Sequence, residues 1–452
     1  MMGEKKAFIG KRLKPRVFHI LILLIVIFVT AFILFRVNTK KQLLSRIEAL
    51  RAEGYPVTWK ELDKYYSIPD DAVNAAYLIL DAIGYYHEPN DLRRIPAIVK
   101  DNIPARGEQL PDDVLKPISA YISENQQSLD ELHKISFLEH SRYPIDLSLG
   151  INTRLDYFTG VQKSFILLQC EALYAAENED PNQALNSIES LFGVARSFEA
   201  EPLYISQTVR LNYESMAAAT LEYVLRRINF NDEQLIELGE ILTQAEDFSG
   251  IKRAFASERC IRLRLCENPS LFPSDIIEGV LPAQPVLEAY KAIGILDRAA
   301  LVYIRFDKEF TDVFELPLHK QINAFKSIEA EFNKSKLPGF LRLKQSPFSE
   351  LVSLNLNTIA ELRTARVALT IQRYRLQKGK LPESLSNLIP QYLDNIPLDP
   401  FNGKALKYNK LDPGFIIYSV GQNLSDDNWK EQPKDGKERD NSMWDITFML
   451  ER

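Results

Sequence analysis

Residues Leu155–Phe198 read LDYFTGVQKSFILLQCEALYAAENEDPNQALNSIESLFGVARSF. The apolar residues of this stretch recur at intervals of three and four, which is the spacing of one face of an α-helix. Between two such runs stands Asp180-Pro181, an N-cap residue followed by the proline that suits the first helical position. Two helices joined by so short a turn pack antiparallel. The stretch therefore predicts a helical hairpin, and a third helix follows from about Leu203 to Arg227.

The same periodicity extends over most of the chain and predicts a mainly α-helical protein. Helices are expected from Lys40 to Glu53, from Ala72 to Tyr86, and from Leu354 to a stop at Gly379. Prolines interrupt residues 269–346, so short helices with loops are predicted there. The hairpin resembles one tetratricopeptide unit, but no second copy follows at a period of about 34 residues. We therefore expect a body of helical hairpins.

Residues 17–35 read VFHILILLIVIFVTAFILF, and within this apolar run only His19 and Thr30 are polar. As a helix the run would be roughly 29 Å long, which matches the hydrocarbon core of a bilayer. A signal peptide that is cleaved has a shorter apolar region followed by a small-residue cleavage site. Because this run is longer and lacks that site, we expect an uncleaved, single-pass signal anchor, with a cleaved signal peptide as the alternative.

The charges that flank the apolar run predict its orientation. More basic residues precede the run than follow it, and the side with the excess stays in the cytoplasm. The preceding residues are Lys5, Lys6, Lys11, Arg12, Lys14 and Arg16, and the following ones are Arg36, Lys40 and Lys41. We therefore expect residues 1–16 inside the cell and the bulk of the chain outside the cytoplasm.

Composition and motifs limit the classes of function. The net charge of −6 over 452 residues argues against nucleic-acid binding, which needs a concentrated basic face. Three cysteines are too few for a disulfide framework and are expected to be buried. The sequence has no H-E-x-x-H motif, P-loop, G-x-S-x-G elbow or dinucleotide fingerprint. His133 and His140 lie seven residues apart and would share a helix face if one helix held both, but we assign no catalytic residue.

The chain ends in a chemically distinct segment after the long helix. Two short strands are predicted at Ala405–Asn409 and Phe415–Val420, with turn residues Asp412-Pro413-Gly414 between them. A third strand is predicted at Asp445–Met449. Further residues with a marked spacing are Asp399, Pro400, Gly403, Tyr408, Tyr418, Ser419, Gly421, Asp445 and Ile446.

This order of residues resembles the C-terminal domain of the major pseudopilin of type II secretion, over about residues 364–448. The whole chain is also similar to a group of uncharacterised bacterial membrane-anchored helical proteins, which join an N-terminal anchor, a helical body and this same ending. The body segment Glu201–Val209 carries part of that likeness. The likeness to this group implies an architecture and a bacterial origin, and it implies no particular chemistry.

In the pseudopilin the acidic loop binds calcium, so the resemblance implies a calcium site here. Asp426, Asp427 and Asp445 would supply carboxylates, with loop carbonyls near Ser419 and Gln422. Calcium takes six to eight oxygen ligands in all. This chain departs from the pseudopilin pattern, because residues 428–442 form a longer, charged insertion. The alternative is that Asp426 and Asp427 hydrogen-bond a turn.

The predicted architecture is mainly α, with a small antiparallel β module, and it has five parts. They are a basic tail (1–16), a transmembrane helix (17–35), a stalk helix with a linker (36–66), an α-helical body (67–350), and a long helix with the pseudopilin-like β module (351–452).

The predicted function is that of an interaction or scaffold protein, anchored in the bacterial inner membrane and facing outward to a protein partner in the envelope. Two alternatives stay open: an envelope enzyme without a recognisable motif, and an accessory component of a secretion or pilus-like system. A deep pocket holding two carboxylates with shifted pKa values would favour the enzyme. A flat or grooved surface without such a pocket would favour the scaffold.

Overall fold

The computed structural model describes residues 15–89, 109–247, 249–343, 348–430 and 444–452. These residues form fourteen α-helices and one sheet of three strands, so the chain is mainly α with a small β module, as predicted. The helices are α1 (Pro15–Ala52), α2 (Trp59–Tyr65), α3 (Ala75–Gly84), α4 (Asp112–Glu124), α5 (Gln126–His133), α6 (Phe158–Glu177), α7 (Pro181–Arg196), α8 (Tyr204–Arg227), α9 (Asp232–Ala245), α10 (Ser249–Glu267), α11 (Gln284–Ile293), α12 (Ile295–Asp312), α13 (Leu318–Lys334) and α14 (Phe348–Lys378). The strands are β1 (Lys407–Lys410), β2 (Phe415–Ser419) and β3 (Ile446–Leu450).

The chain divides into two compact units. The first holds the described residues up to Gly54, which include α1, together with Leu263–Ile304 and the described part of Leu337–Lys344. The second holds the remaining described residues. In the first unit, α1 is one continuous helix that carries both the apolar run and the predicted stalk. It is the single helix among the described residues that is long and apolar enough to cross a membrane, although a signal sequence would pass the same test.

The second unit is built on the predicted hairpin. α6 and α7 are joined at Asp180, whose side chain accepts hydrogen bonds from the backbone N–H groups of Asn182 and Gln183, each at 3.1 Å. Pro181 occupies the first turn of α7, where its missing N–H costs nothing. α8 and α9 pack against this hairpin, α14 packs against α8 and α9, and all of them share one apolar core.

The proline-rich region differs from its prediction, because two of its helices are long. α12 has 18 residues and α13 has 17. Two of the prolines stand at helix starts and do not break helices: Pro285 lies in the first turn of α11, and Pro317 precedes the first residue of α13.

Two helices begin at residues other than the predicted ones. α3 begins at Ala75 because Asn74 caps it by accepting from the N–H of Ala76, and α14 begins at Phe348.

The sheet has the order β1-β2-β3, and both strand pairs are antiparallel. Tyr408 faces Ile417 across the first pair, and Ile417 faces Phe448 across the second. All five residues of β2 are buried, as expected for the central strand. One face of the sheet packs against α14, so the β module belongs to the same core as the helices.

Candidate functional site

A cleft of about 390 Å³ lies between α9 and α14. Apolar residues of both helices line it, and residues of the segment that follows α14 line it as well. Arg366 and Arg373 are its basic residues and Glu240 is its acidic residue. The remaining lining residues are Leu235, Ile236, Gly239, Thr243, Gln244, Leu369, Thr370, Tyr392 and Leu393.

The two arginines lie seven residues apart and therefore on the same side of α14. Arg373 donates from Nε to Oδ1 of Asp232 at 2.8 Å and stacks over the ring of Tyr392. Arg366 donates to the hydroxyl of Thr243 at 3.2 Å and lies 3.6 Å from a carboxylate oxygen of Glu246. The buried Nε of Arg366 has no hydrogen-bond acceptor among the described residues. That nitrogen is shielded from solvent, and both arginines of the cleft already lie beside carboxylates, Asp232 and Glu246.

A second, enclosed void lies at the side of the cleft, and Gln244 lines both. Its volume is about 10 Å³, which is room for one water molecule at most. Arg210 is almost fully buried there and donates to Glu214 and to the side chain of Gln207, each at 2.9 Å. Burial raises the pKa of Glu214 to about 7, and burial followed by the nearby Asp247 raises the pKa of Glu199. Two carboxyls with raised pKa values thus share a space too small for a substrate.

A further buried acid, Glu189 of α7, hydrogen-bonds to Glu237 of α9. Burial, followed by this contact with a second carboxyl, raises the pKa of Glu189 to about 8. The Glu189 carboxyl is therefore largely protonated at neutral pH.

Glu201 begins the segment that carried the likeness to the uncharacterised bacterial group, and it is fully buried. Its carboxylate accepts from the hydroxyls of Tyr66 at 3.2 Å and of Tyr157 and Ser206 at 2.5 Å each. Gln207 donates to the backbone carbonyls of Phe198, Glu199 and Glu201. These residues therefore tie the start of α8 to its neighbours, which is a structural role.

His133 and His140 do not share a helix, because α5 ends at His133. His133 instead has Nδ1 2.8 Å from the hydroxyl of Ser190 and Nε2 3.0 Å from Oε2 of Glu171. The order of groups is that of a Ser-His-Glu triad. However, Ser190 is fully buried within α7 and its hydroxyl donates to the backbone carbonyl of Asn186 at 2.8 Å. The hydroxyl is therefore not presented to a substrate.

The predicted calcium residues lie near the end of the sheet. Asp426 accepts from the hydroxyl of Tyr418 at 3.1 Å and pairs with Lys407 at 3.1 Å. Asp427 accepts from Asn423 and Ser425 of its own loop. Both aspartates therefore make the turn contacts that were the alternative to calcium.

Asp445 differs from these two aspartates. It is 5 % exposed, and burial raises the pKa of its carboxyl to about 6. Neither carboxylate oxygen has a hydrogen-bond partner of good geometry among the described residues. Within that same part of the chain, no three His, Cys, Asp or Glu side chains stand close enough to hold a metal ion. Calcium binding at these three aspartates therefore stays a prediction.

The residues that carried the pseudopilin resemblance shape the β module. Asp399 is buried and accepts from the backbone N–H groups of Phe401 at 2.8 Å and Val420 at 2.9 Å, so it joins its own turn to the end of β2. Gly403 has φ +70°, and a Cβ there would lie 2.7 Å from Nδ1 of His319. Tyr408 donates to the carbonyl of Pro382 at 2.8 Å. These residues have physical reasons to be present that involve no ligand.

Comparison of the chain with family models, with curated proteins and with solved structures found no match. The class that the fold itself defines is a mainly α protein with a small β module and one helix able to span a membrane. Sequence reasoning missed the α9–α14 cleft. The one sign of the cleft in the sequence was a pair of arginines seven residues apart on a predicted helix. Such a pair is common on solvent-exposed helix faces and does not point to a cleft.

Proposed function

We propose that the protein is a scaffold anchored in the inner membrane of a bacterium, with its basic N-terminus inside and its helical body outside the cytoplasm. The body binds a protein partner of the envelope in the cleft between α9 and α14. The charge bias around the apolar run supports the orientation. The bacterial setting rests on the resemblance seen in the sequence.

One observation carries the choice of scaffold over enzyme. The large cleft contains one acidic side chain, Glu240, whereas the raised carboxyl pKa values of Glu199 and Glu214 belong to a void the size of one water molecule. Acid–base catalysis needs groups with shifted pKa values within reach of a substrate. In these two cavities, the space for a ligand and the carboxyls with raised pKa values are separated.

The chemistry of the cleft specifies its occupant. Arg366 and Arg373 favour a carboxylate, since a guanidinium donates several hydrogen bonds in one plane. The apolar floor, which includes Leu235, Ile236 and Leu369, suits apolar side chains next to that carboxylate. We therefore propose that the occupant is an acidic protein segment flanked by apolar residues.

The test is site-specific photo-crosslinking in intact cells. A photoreactive residue replaces Thr243 or Ile236 in the cleft, and a control places it at the exposed Tyr77 of α3. We expect one discrete crosslinked protein from the two cleft positions and none from Tyr77. Arg366→Glu should remove the crosslink, because it turns the cationic donor into an anion that repels an acidic segment. Lys308→Glu, an exposed charge reversal on α12, should leave it intact.

Crosslinks that are equal at all three positions, or that survive Arg366→Glu, would refute cleft recognition. Capture of nothing would contradict the scaffold and favour the enzyme alternative. A captured partner from a secretion or pilus-like machine would support the scaffold and assign it to that machine.

Calcium binding by Asp426, Asp427 and Asp445 is a separate proposal. It is supported by the resemblance and by the buried carboxylate of Asp445, for which the described residues provide no hydrogen bond of good geometry. Against it stand the contacts of Asp426 and Asp427 with their own module. Calcium would stabilise the loop by drawing its carboxylates together, and it is given no part in partner binding.

A further inference from the structure

Within the first unit, Arg36 ties α1 to the corner between α11 and α12. Arg36 directly follows the apolar run, and its Nη1 donates to Oδ2 of Asp297 at 2.7 Å. Its Nη2 donates to the backbone carbonyl of Lys291 at 3.2 Å. Gly294, with φ +85°, ends α11, and a Cβ there would overlap the Arg36 guanidinium. The corner is therefore held at the level where α1 leaves its apolar stretch.

α11 presents three different faces. Leu287 points inward, and Tyr290 stacks on Phe340 with ring centroids 5.4 Å apart. Glu288 and Lys291 form a narrow charged face and are the only charged residues of the helix. The third face is apolar and exposed, and it contains no charge. Its residues are Pro285, Val286, Ala289, Ala292 and Ile293.

The exposure of this third face is large for apolar side chains. Val286 is 45 % exposed and Ile293 is 44 % exposed, although they lie seven residues apart on one side of the helix. Single exposed apolar residues are normal on protein surfaces, but a continuous stripe marks an interaction site.

The loop before α11 adds a further exposed apolar residue, Val280, at 90 %. The loop is fixed in place: the N–H of Glu278 donates to the carbonyl of Arg342 at 2.9 Å, and a Cβ on Gly279 would lie 2.8 Å from the backbone nitrogen of Phe340. Val280 is therefore held outward by backbone contacts on its N-terminal side.

We propose that the apolar face of α11, together with Val280, lies in the interfacial layer of the bilayer that α1 spans. This inference rests on the proposed anchoring. If residues 17–35 fill the hydrocarbon core, Arg36 stands at its boundary, and the corner bonded to Arg36 stands there too. An apolar helix face at that level enters the region between headgroups and acyl chains, as interfacial helices do to a depth of about 5–10 Å. Arg36 and Lys291 then lie among the lipid phosphates.

The test uses the full-length chain reconstituted into phosphatidylcholine–phosphatidylglycerol vesicles. Single cysteines at Val286→Cys and Ile293→Cys carry an environment-sensitive fluorophore, and the three native cysteines are buried. Nitroxide groups on the lipid acyl chains serve as quenchers. Glu288→Cys, on the charged face of the same helix, is the matched control. Ile25→Cys, inside the apolar run, reports the anchoring itself.

We expect loss of fluorescence at Val286→Cys and Ile293→Cys with nitroxides near the headgroup, and at Ile25→Cys with deeper ones. Glu288→Cys should keep its signal. A different result would overturn the interfacial inference and leave the anchoring intact: Ile25→Cys is quenched, but Val286→Cys and Ile293→Cys stay as bright as the control. Blue-shifted but unquenched fluorescence at the two α11 sites would mean that protein covers the face, which also overturns it. No quenching at Ile25→Cys would overturn both proposals.

Discussion

Glu189 and Glu237 put two carboxyls in contact between α7 and α9, within the helical body. Such a pair is tolerated only when one member is protonated, because two adjacent carboxylates repel each other in a medium that screens them weakly. The pKa of Glu189 in the folded state, about 8, therefore lies well above its ordinary value of 4.5. Between those two pH values the folded chain binds a proton that the unfolded chain has lost.

The sign of the pH dependence follows from this difference. Stability falls as pH rises wherever the folded state binds more protons, so the acid pair weakens the fold progressively from about pH 4.5 to 8. Glu189→Gln replaces the protonated acid with an amide that cannot ionise. We expect the variant to match the wild type near pH 5 and to exceed it by about 1–2 kcal/mol above pH 8.

Urea unfolding of the full chain in detergent, at a series of pH values, measures this difference. Glu240→Gln on the exposed side of α9 is the control and should follow the wild-type curve. A pH dependence that is unchanged in Glu189→Gln would show that the Glu189 carboxyl is not protonated at neutral pH in the folded chain.

At the scale of elements, the sequence predicted those helices and turns that residues close together in the chain determine. The α6–α7 hairpin was predicted correctly because its cap, Asp180, and its first-turn proline, Pro181, act within a few residues. The lengths of α12 and α13 were missed because the same residue type, proline, both starts helices and interrupts them. Its effect depends on contacts outside the local sequence.

The candidate site could not be predicted in the same way. Arg366 meets Thr243, which lies 123 residues earlier in the chain, and Arg363 meets Glu246, which lies 117 residues earlier. Periodicity gives the buried face of each helix but not the identity of the helix packed against it. The buried role of Asp399, by contrast, could be suspected from the Asp-Pro turn that contains it.

The acidic loop of the β module supports an element-scale prediction. If calcium binds Asp426, Asp427 and Asp445, the metal stabilises the folded chain by mass action, and the melting temperature rises with calcium and falls with a chelator. Asp445→Asn should abolish that response, while Asp394→Ala, at an exposed acid outside the loop, should retain it. A melting temperature that is indifferent to calcium and chelator in the wild type would eliminate the calcium proposal.

At the scale of the whole molecule, the proposed topology can be read from cysteine accessibility. The native cysteines are buried, so the wild-type chain should give little background with a membrane-impermeant maleimide. In spheroplasts we expect Tyr77→Cys to be labelled at once, because its position is exposed on the body, which the proposal places outside the cytoplasm. Gly3→Cys, in the basic tail, should react only after lysis.

The reverse pattern of labelling would invert the proposed orientation. A mature chain that has lost its N-terminal residues, seen by mass spectrometry, would show instead that the apolar run is removed as a signal peptide.

α1 contains no glycine, and no proline after its first residue, so it continues beyond Arg36 for 16 more residues to Ala52 without a break. That extension is about 24 Å long. Spanning helices change their tilt when the thickness of the surrounding bilayer changes. A change of about 10° would carry the far end of α1 sideways by roughly 4 Å. If α1 spans the bilayer as proposed, it would act as a lever arm, and the position of Gly54 relative to the membrane surface would change with bilayer thickness.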